Sequence, residues 1–90
     1  MELTRESAAG SLEKSDCLVT VKPSKQLALE IESSVMMRYG NQIRKVVNDA
    51  LEEMQVTSGY IRVQDNGALD YCLRARVITA LKRGCVSSDR

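Results

Sequence analysis

Three short segments of the chain alternate apolar with polar side chains, which is the period of a β-strand with one buried side. They comprise residues 17–22, 27–32 and 60–64. Pro23 ends the first segment, and the turn formers at residues 65–67 end the third. Because the first two segments follow each other closely, we expect them to pair as a β-hairpin.

Two longer segments carry apolar residues at steps of three and four, which predicts amphipathic helices. In the first helix, which Ser33 or Ser34 is expected to cap, the apolar positions are Tyr39, Ile43, Val46, Val47, Ala50, Leu51 and Met54. In the second helix, which Gly84 is expected to end, they are Leu69, Cys72, Leu73, Val77 and Ala80. The order β-β-α-β-α predicts an α+β fold, with a small sheet of about three strands and two helices packed on one face.

The chain divides into three regions by composition. Residues 1–15 are small, polar and without a period, so we expect a flexible N-terminal arm there. Residues 16–84 hold all the predicted elements, and a chain of 90 residues is too short for two independent cores. We therefore expect a single α+β domain over residues 16–84, followed by a frayed tail over residues 85–90.

The charge balance argues against nucleic acid or membrane as partners. Thirteen Lys and Arg against twelve Asp and Glu leave a net charge of +1, too little for bulk attraction to polyanions. The N-terminus has no apolar run that would indicate a signal peptide or a membrane span. Three cysteines, an odd and widely spaced set, fit reduced intracellular thiols. These features predict a cytoplasmic protein.

Catalysis by this chain alone is not expected, because the sequence contains no histidine to serve as a base or metal ligand. Cys17 and Cys72 lie on the predicted apolar faces, where a thiol usually packs as a small hydrophobe. We therefore predict neither catalytic residues nor a metal site.

The second helix carries the basic residues Arg74, Arg76, Lys82 and Arg83. Basic side chains usually form a solvated face, and cations near a helix end suit its dipole. The same set would fit a small RNA-binding or assembly module, which is the alternative reading of the chain. Arg76 falls near the apolar stripe, so we expect it to reach a carboxylate or a phosphate-bearing ligand.

Two runs of sequence resemble one known family. They are Ala9-Gly10-Ser11-Leu12-Glu13-Lys14-Ser15-Asp16, which precedes the first predicted strand, and Gly67-Ala68-Leu69-Asp70-Tyr71-Cys72-Leu73-Arg74-Ala75-Arg76. The acyl carrier (gamma) subunit of citrate lyase has A-G-T-L-E-S-S-D or A-G-T-L-E-S-G-D at the first place and G-A-L-D-C-x-L-R-A-R at the second. The resemblance extends over residues 8–83.

This resemblance implies a non-catalytic carrier subunit. In the family a serine is esterified, through a phosphodiester, to 2'-(5''-phosphoribosyl)-3'-dephospho-CoA, whose thiol carries acetyl or citryl as a thioester. The implied partners are the citrate lyase alpha subunit (acyl transferase), the beta subunit (citryl lyase) and a prosthetic-group transferase. The net reaction of the complex is cleavage of citrate to acetate and oxaloacetate.

The resemblance also implies where the prosthetic group is attached. The family's attachment serine aligns with Lys14, whose ammonium group cannot form that phosphodiester. We expect attachment at Ser15, one position later, with Ser11 as the weaker alternative. The second motif suggests Asp70, Arg74 and Arg76 as residues that contact a partner or the prosthetic group.

Overall fold

The computed structural model describes residues 2–85, with side chains for all of these except residues 36–38. The strands are β1 (Ser7–Gly10), β2 (Cys17–Lys22), β3 (Leu27–Ser33) and β4 (Gly59–Asp65). The helices are α1 (Met36–Glu53) and α2 (Asp70–Gly84). Of the tail predicted to fray, residues 86–90 lie outside the described residues.

The sheet has the strand order β1-β2-β4-β3. β1 and β2 are antiparallel, β2 and β4 are antiparallel, and β3 runs parallel to β4. The predicted hairpin between residues 17–22 and 27–32 is therefore wrong, because β4 lies between them. β3 connects to β4 through α1, and a helical crossover of this length allows two successive strands to lie side by side in parallel.

The two helices lie against one face of the sheet, which confirms the predicted α+β arrangement. α2 packs across β1 and β2, whereas α1 packs against α2 and β3. The central strands bury alternate residues beneath the helices, as their alternation predicted. The largest fully buried side chains are Ile61, Leu73, Leu81, Val19, Val21, Val47, Val63, Val77 and Cys17.

The sheet has one strand more than predicted, and this strand lies in the segment predicted to be a flexible arm. Residues 7–10 form β1, in which Ala9 is buried and pairs with Val19 of β2. Leu3 is also buried, and the backbone N–H of Thr4 donates to the carbonyl of Gly84 at 2.9 Å. The ordered fold therefore begins before the boundary predicted at residue 16, because two apolar side chains and a strand ladder hold this segment.

The start of α1 also differs from the prediction. Neither serine caps the helix, and Val35 occupies the N-cap position without a side-chain hydrogen bond. The Ser33 hydroxyl instead accepts from the Val35 N–H at 3.1 Å and donates to the Asp65 carboxylate at 2.7 Å. The turn before α1 is thus fastened to the end of β4.

Two residues predicted to face the core, Tyr39 of α1 and Leu69 before α2, are exposed by 50% and 59%. Both lie near the beginning of their helices. No helix within residues 2–85 combines the length and the apolar character needed to cross a membrane.

The Cys17 thiol is buried among the core side chains, as its position on an apolar face predicted. Burial raises the pKa of this thiol from 9.0 to about 12, so the thiol stays almost entirely protonated at mildly alkaline pH. We expect Cys17 to resist iodoacetamide in the native chain at mildly alkaline pH, while the half-buried Cys72 and Cys85 react. Mass spectrometry of the alkylated peptides measures this, and equal labelling of all three would contradict it.

Candidate functional site

The two sequence motifs meet in space at the loop that connects β1 to β2. This loop, residues 11–16, lies against Asn66, which follows β4. The Ser15 N–H donates to the Asn66 carbonyl at 2.8 Å, and the Asn66 N–H donates to the Asp16 carbonyl at 2.9 Å. The Asn66 side-chain amide also donates to the Leu12 carbonyl at 3.3 Å. The loop is therefore held at both of its ends by one residue.

Asp16 is the centre of a cluster of hydrogen bonds behind this loop. Its carboxylate accepts two hydrogen bonds from the Arg76 guanidinium, at 3.1 and 3.0 Å, in the bidentate arrangement that suits these two groups. It also accepts from the Ser11 hydroxyl at 2.8 Å and from the Cys17 N–H at 2.7 Å. The Cys72 thiol lies at 3.7 Å from the same carboxylate. The first motif is thus joined to the second.

These contacts hold the pKa of Asp16 well below its ordinary value of 3.8, chiefly through the Arg76 hydrogen bonds and then those from Ser11 and Cys17. Because the folded-state pKa is the lower one, the charged carboxylate stabilises the fold above the unfolded pKa. That contribution is lost as the pH falls from about 4 towards the folded-state pKa.

We therefore expect Asp16→Asn to cost more stability near neutral pH than at acidic pH. Urea unfolding of both proteins at about pH 6 and about pH 3 measures the difference, and the gap between them should narrow at the lower pH. Other carboxylates contribute equally to both proteins and cancel in the comparison. A gap that stays constant with pH would contradict the assignment.

The two candidate serines, Ser15 and Ser11, and the neighbouring Lys14 differ in their surroundings. Ser15 is exposed, and its backbone has a φ of 65°, in the left-handed region that closes the turn before Asp16. Lys14, in the same turn, is exposed as well. Ser11 is half-buried, and its hydroxyl both donates to Asp16 and accepts from the Glu13 N–H at 3.2 Å. Of the two serines, Ser15 is the more accessible.

The structure separates the three residues that the second motif suggested as contacts. Arg76 faces the loop and Asp16, whereas Arg74 forms an ion pair with Glu53 on the other side of α2. Asp70, in the first turn of α2, accepts a hydrogen bond from the Gln42 side chain at 2.7 Å. The sequence left open whether Arg76 reaches a carboxylate or a phosphate-bearing ligand, and in the structure its partner is the Asp16 carboxylate.

Sequence reasoning missed the contribution of residues 65–67, which it treated only as a turn. Asp65 is buried, and its carboxylate accepts from the Ser33 hydroxyl and from the N–H groups of Gly67 and Ala68 at 3.1 and 3.0 Å. The available signal was an Asp-Asn pair directly after a strand, since such residues often bond nearby backbone groups. Within residues 2–85, no group of three or more His, Cys, Asp or Glu side chains is arranged to hold a metal ion.

Comparison with known proteins shows the class of protein to which the chain belongs. The acyl carrier family model described as malonate decarboxylase delta subunit (MdcD) matches residues 4–84. The chain is 46% identical over 90 residues to the citrate lyase acyl carrier protein of Halothermothrix orenii, covering 99% of this chain and 96% of that protein. It is 48% identical over 84 residues to that of Pectobacterium atrosepticum, covering 92% and 88%. The chain belongs to the family of citrate lyase acyl carrier proteins.

A solved structure shares the fold. One chain of a Pseudomonas malonate decarboxylase hetero-tetramer in complex with malonate superimposes with a TM-score of 0.78 at 14% identity. The match covers 94% of this chain and 93% of that chain. The four-stranded sheet with two helices is therefore an arrangement that a solved protein also adopts.

The family membership confirms an acyl carrier that is not itself an enzyme, with a covalently bound prosthetic group implied for the family. It gives no support to the RNA-binding alternative, and three of the four basic side chains of α2 bond to other groups of this chain. Arg74 and Arg76 form ion pairs, and the Arg83 guanidinium donates to the Ala8 carbonyl at 2.9 Å.

Proposed function

We propose that this chain is the carrier (gamma) subunit of a citrate lyase and that Ser15 bears phosphoribosyl-dephospho-CoA through a phosphodiester. Its partners are the alpha and beta subunits, in the cytoplasm, and a transferase that attaches the group. The observation that carries the proposal is an exposed serine on a turn that the rest of the domain holds in place. The names of the relatives in H. orenii and P. atrosepticum support the choice of complex.

The residues around Ser15 fit a phosphodiester. Ser15 is exposed on its turn, where a transferase has access to its hydroxyl. The exposed Lys14 provides an ammonium group on the adjacent residue, and a cation beside a phosphodiester is favourable. The lysine that replaces the family's serine is thus compatible with attachment one position later.

Ser11 fits the group poorly. A phosphodiester on its oxygen would remove the hydrogen bond to Asp16 and place a second negative charge beside that carboxylate. Like charges at hydrogen-bond distance repel strongly, so the modification would work against the Asp16–Arg76 pair. Modification of the Ser15 hydroxyl would not break a bond that holds the loop, because Ser15 contributes its backbone N–H to that purpose.

When bound, the group supplies a thiol that carries the acyl chain as a thioester. The chain's own residues hold the root of that arm. Asn66 forms backbone hydrogen bonds with Ser15 and Asp16, and the Arg76 guanidinium binds the Asp16 carboxylate to α2. A long tether attached to an ordered loop raises the effective concentration of the carried group at two active sites.

We also propose roles for the remaining motif residues. Arg76 acts as a positioning residue, because it bonds to the attachment loop (residues 11–16) through the carboxylate of Asp16. Asp70 and Arg74 are exposed along one side of α2 and form a surface that a larger subunit would contact. Their present bonds to Gln42 and Glu53 are solvent-exposed and are therefore cheap to exchange for bonds to a partner.

The decisive experiment is a peptide map of the chain purified from cells that express the complete citrate lyase operon. We expect the mass of phosphoribosyl-dephospho-CoA on the peptide that spans residues 11–16, with fragmentation that assigns it to Ser15. A chain that is bare at every hydroxyl, from cells that still cleave citrate, would overturn the proposal.

A further inference from the structure

A cleft lies between the first turn of α1 and the first turn of α2. Its volume is about 550 Å³, within the range of small-molecule sites. Among the described residues, three of the five large hydrophobic side chains that are exposed line this cleft, and they are Tyr39, Leu69 and Tyr71. Tyr71 is exposed by 74%. Apolar surface concentrated in one concave place indicates a binding site.

The cleft begins beside the attachment loop. The Ser15 N–H is bonded to the Asn66 carbonyl at 2.8 Å, and the next two residues, Gly67 and Ala68, line the cleft. A group tethered at Ser15 therefore reaches the cleft without leaving the surface of its own domain.

The polarity of the lining selects the chemistry of the ligand. The charged residues described in the lining are Asp65 and Asp70, both acidic, with no cation among them. A phosphate or a carboxylate would be repelled there. The remaining polar side chains carry an amide and phenols: the Gln42 side chain donates to Asp70 and retains an acceptor oxygen, and the exposed Tyr71 carries a hydroxyl. Such a lining suits a neutral chain with amides and methyl groups.

We infer that this cleft binds the neutral pantetheine segment of the prosthetic group tethered on the same chain. The inference rests on the proposed function. Tyr39, Leu69 and Tyr71 cover the methyl-bearing part of the segment, and Gln42 accepts from one of its amides. The tether supplies an effective concentration on the order of millimolar, so a dissociation constant of the same order leaves the cleft occupied about half of the time between encounters with the larger subunits.

The test is a titration of the unmodified, isotope-labelled chain with S-acetylpantetheine, followed by amide chemical shifts. We expect saturable shifts confined to residues 39–43 and 67–71, with a dissociation constant on the order of millimolar. Leu69→Ser should weaken binding by about tenfold, because it removes apolar contact area from the ligand. Tyr71→Ser serves as a second cleft variant, since its side chain is more exposed and its replacement is less costly to the fold.

Leu27→Ser is the matched control, because Leu27 is another exposed leucine, at the opposite end of β3 from the cleft. It should leave the titration unchanged. The inference is overturned if no saturable shifts occur, or if both cleft variants, Leu69→Ser and Tyr71→Ser, bind S-acetylpantetheine like the parent chain. It is equally overturned if the cleft variants lose only their binding to the larger subunits, which would make a partner protein the occupant.

The two proposals fail separately in this design. The titration uses a bare chain, so its result does not depend on what Ser15 carries in the cell. A positive titration together with an unmodified native chain would retain the cleft and overturn the proposed function. A loaded Ser15 together with a negative titration would retain the proposed function and overturn the cleft.

Discussion

Ser15→Ala is expected to abolish loading of the prosthetic group and, with it, citrate cleavage by the assembled complex. The proposed phosphodiester needs a hydroxyl oxygen, and alanine has none. The substitution should leave the fold intact, since the side chain is exposed and the loop is held through the backbone of Ser15. Intact-mass spectrometry of the chain coexpressed with the transferase measures loading directly, and a coupled assay of oxaloacetate release measures the consequence.

Ser11→Ala is the control for this experiment. It removes a hydroxyl from the same loop and weakens the cluster around Asp16, yet the added mass should remain. Lys14→Ser gives a second comparison, because it places a serine at the position that aligns, by resemblance, with the family's attachment serine. Full loading of Ser15→Ala, or loss of loading only in Ser11→Ala, would show that the attachment point is assigned wrongly.

The second large effect is expected from Gly10→Ala, at the end of β1. Gly10 has a φ of +103°, and a Cβ built there would lie 1.9 Å from the Cys17 carbonyl oxygen. The backbone must therefore separate where β1 pairs with β2, which should lower the free energy of unfolding by about 3 kcal/mol or more. Urea unfolding measures this loss. We also expect slower loading by the transferase, because the displaced strand leads directly into the attachment loop.

Gly67→Ala separates the cost of a positive φ from the cost of a steric contact. Gly67 also has a positive φ, of 86°, but a Cβ there would meet nothing within 4 Å. Only the backbone preference opposes the substitution, so the loss should be about 1–2 kcal/mol. Equal losses at the two glycines would mean that the contact with the Cys17 carbonyl is relieved by small shifts, contrary to the expectation for Gly10.

The spacing of apolar residues was sufficient to predict β2, β4 and both helices, because each of these elements buries side chains at regular intervals along one face. It failed at β1, where Ala8, Ala9 and Gly10 are too small and too few to show a period. It also failed for the strand order, since the parallel partner of β3 lies beyond an 18-residue helix in the sequence. Strand order depends on contacts between distant residues, which local patterns do not record.

The candidate site was predictable in part of its residues but not in its geometry, because Asp65 and Asn66 were interpreted only as a turn. Both motifs were recognised in the sequence, and Arg76 was expected to reach a carboxylate or a phosphate. Asp16 lies 60 residues away from Arg76, so only the folded chain identifies it as that partner. Tyr39 and Leu69 fit the apolar stripes, yet they are exposed because each stripe extends beyond the part of its helix that the core covers. The attachment at Ser15 remains a prediction.

The ion pair between Asp16 and Arg76 has a consequence for biosynthesis. The ribosome makes the loop at residues 11–16 long before it makes α2, and domains generally fold as units. A nascent or truncated chain that ends before residue 76 displays Ser15 without the anchor that orders its surroundings. Any recognition that depends on the shape of this loop is therefore restricted to completed polypeptides.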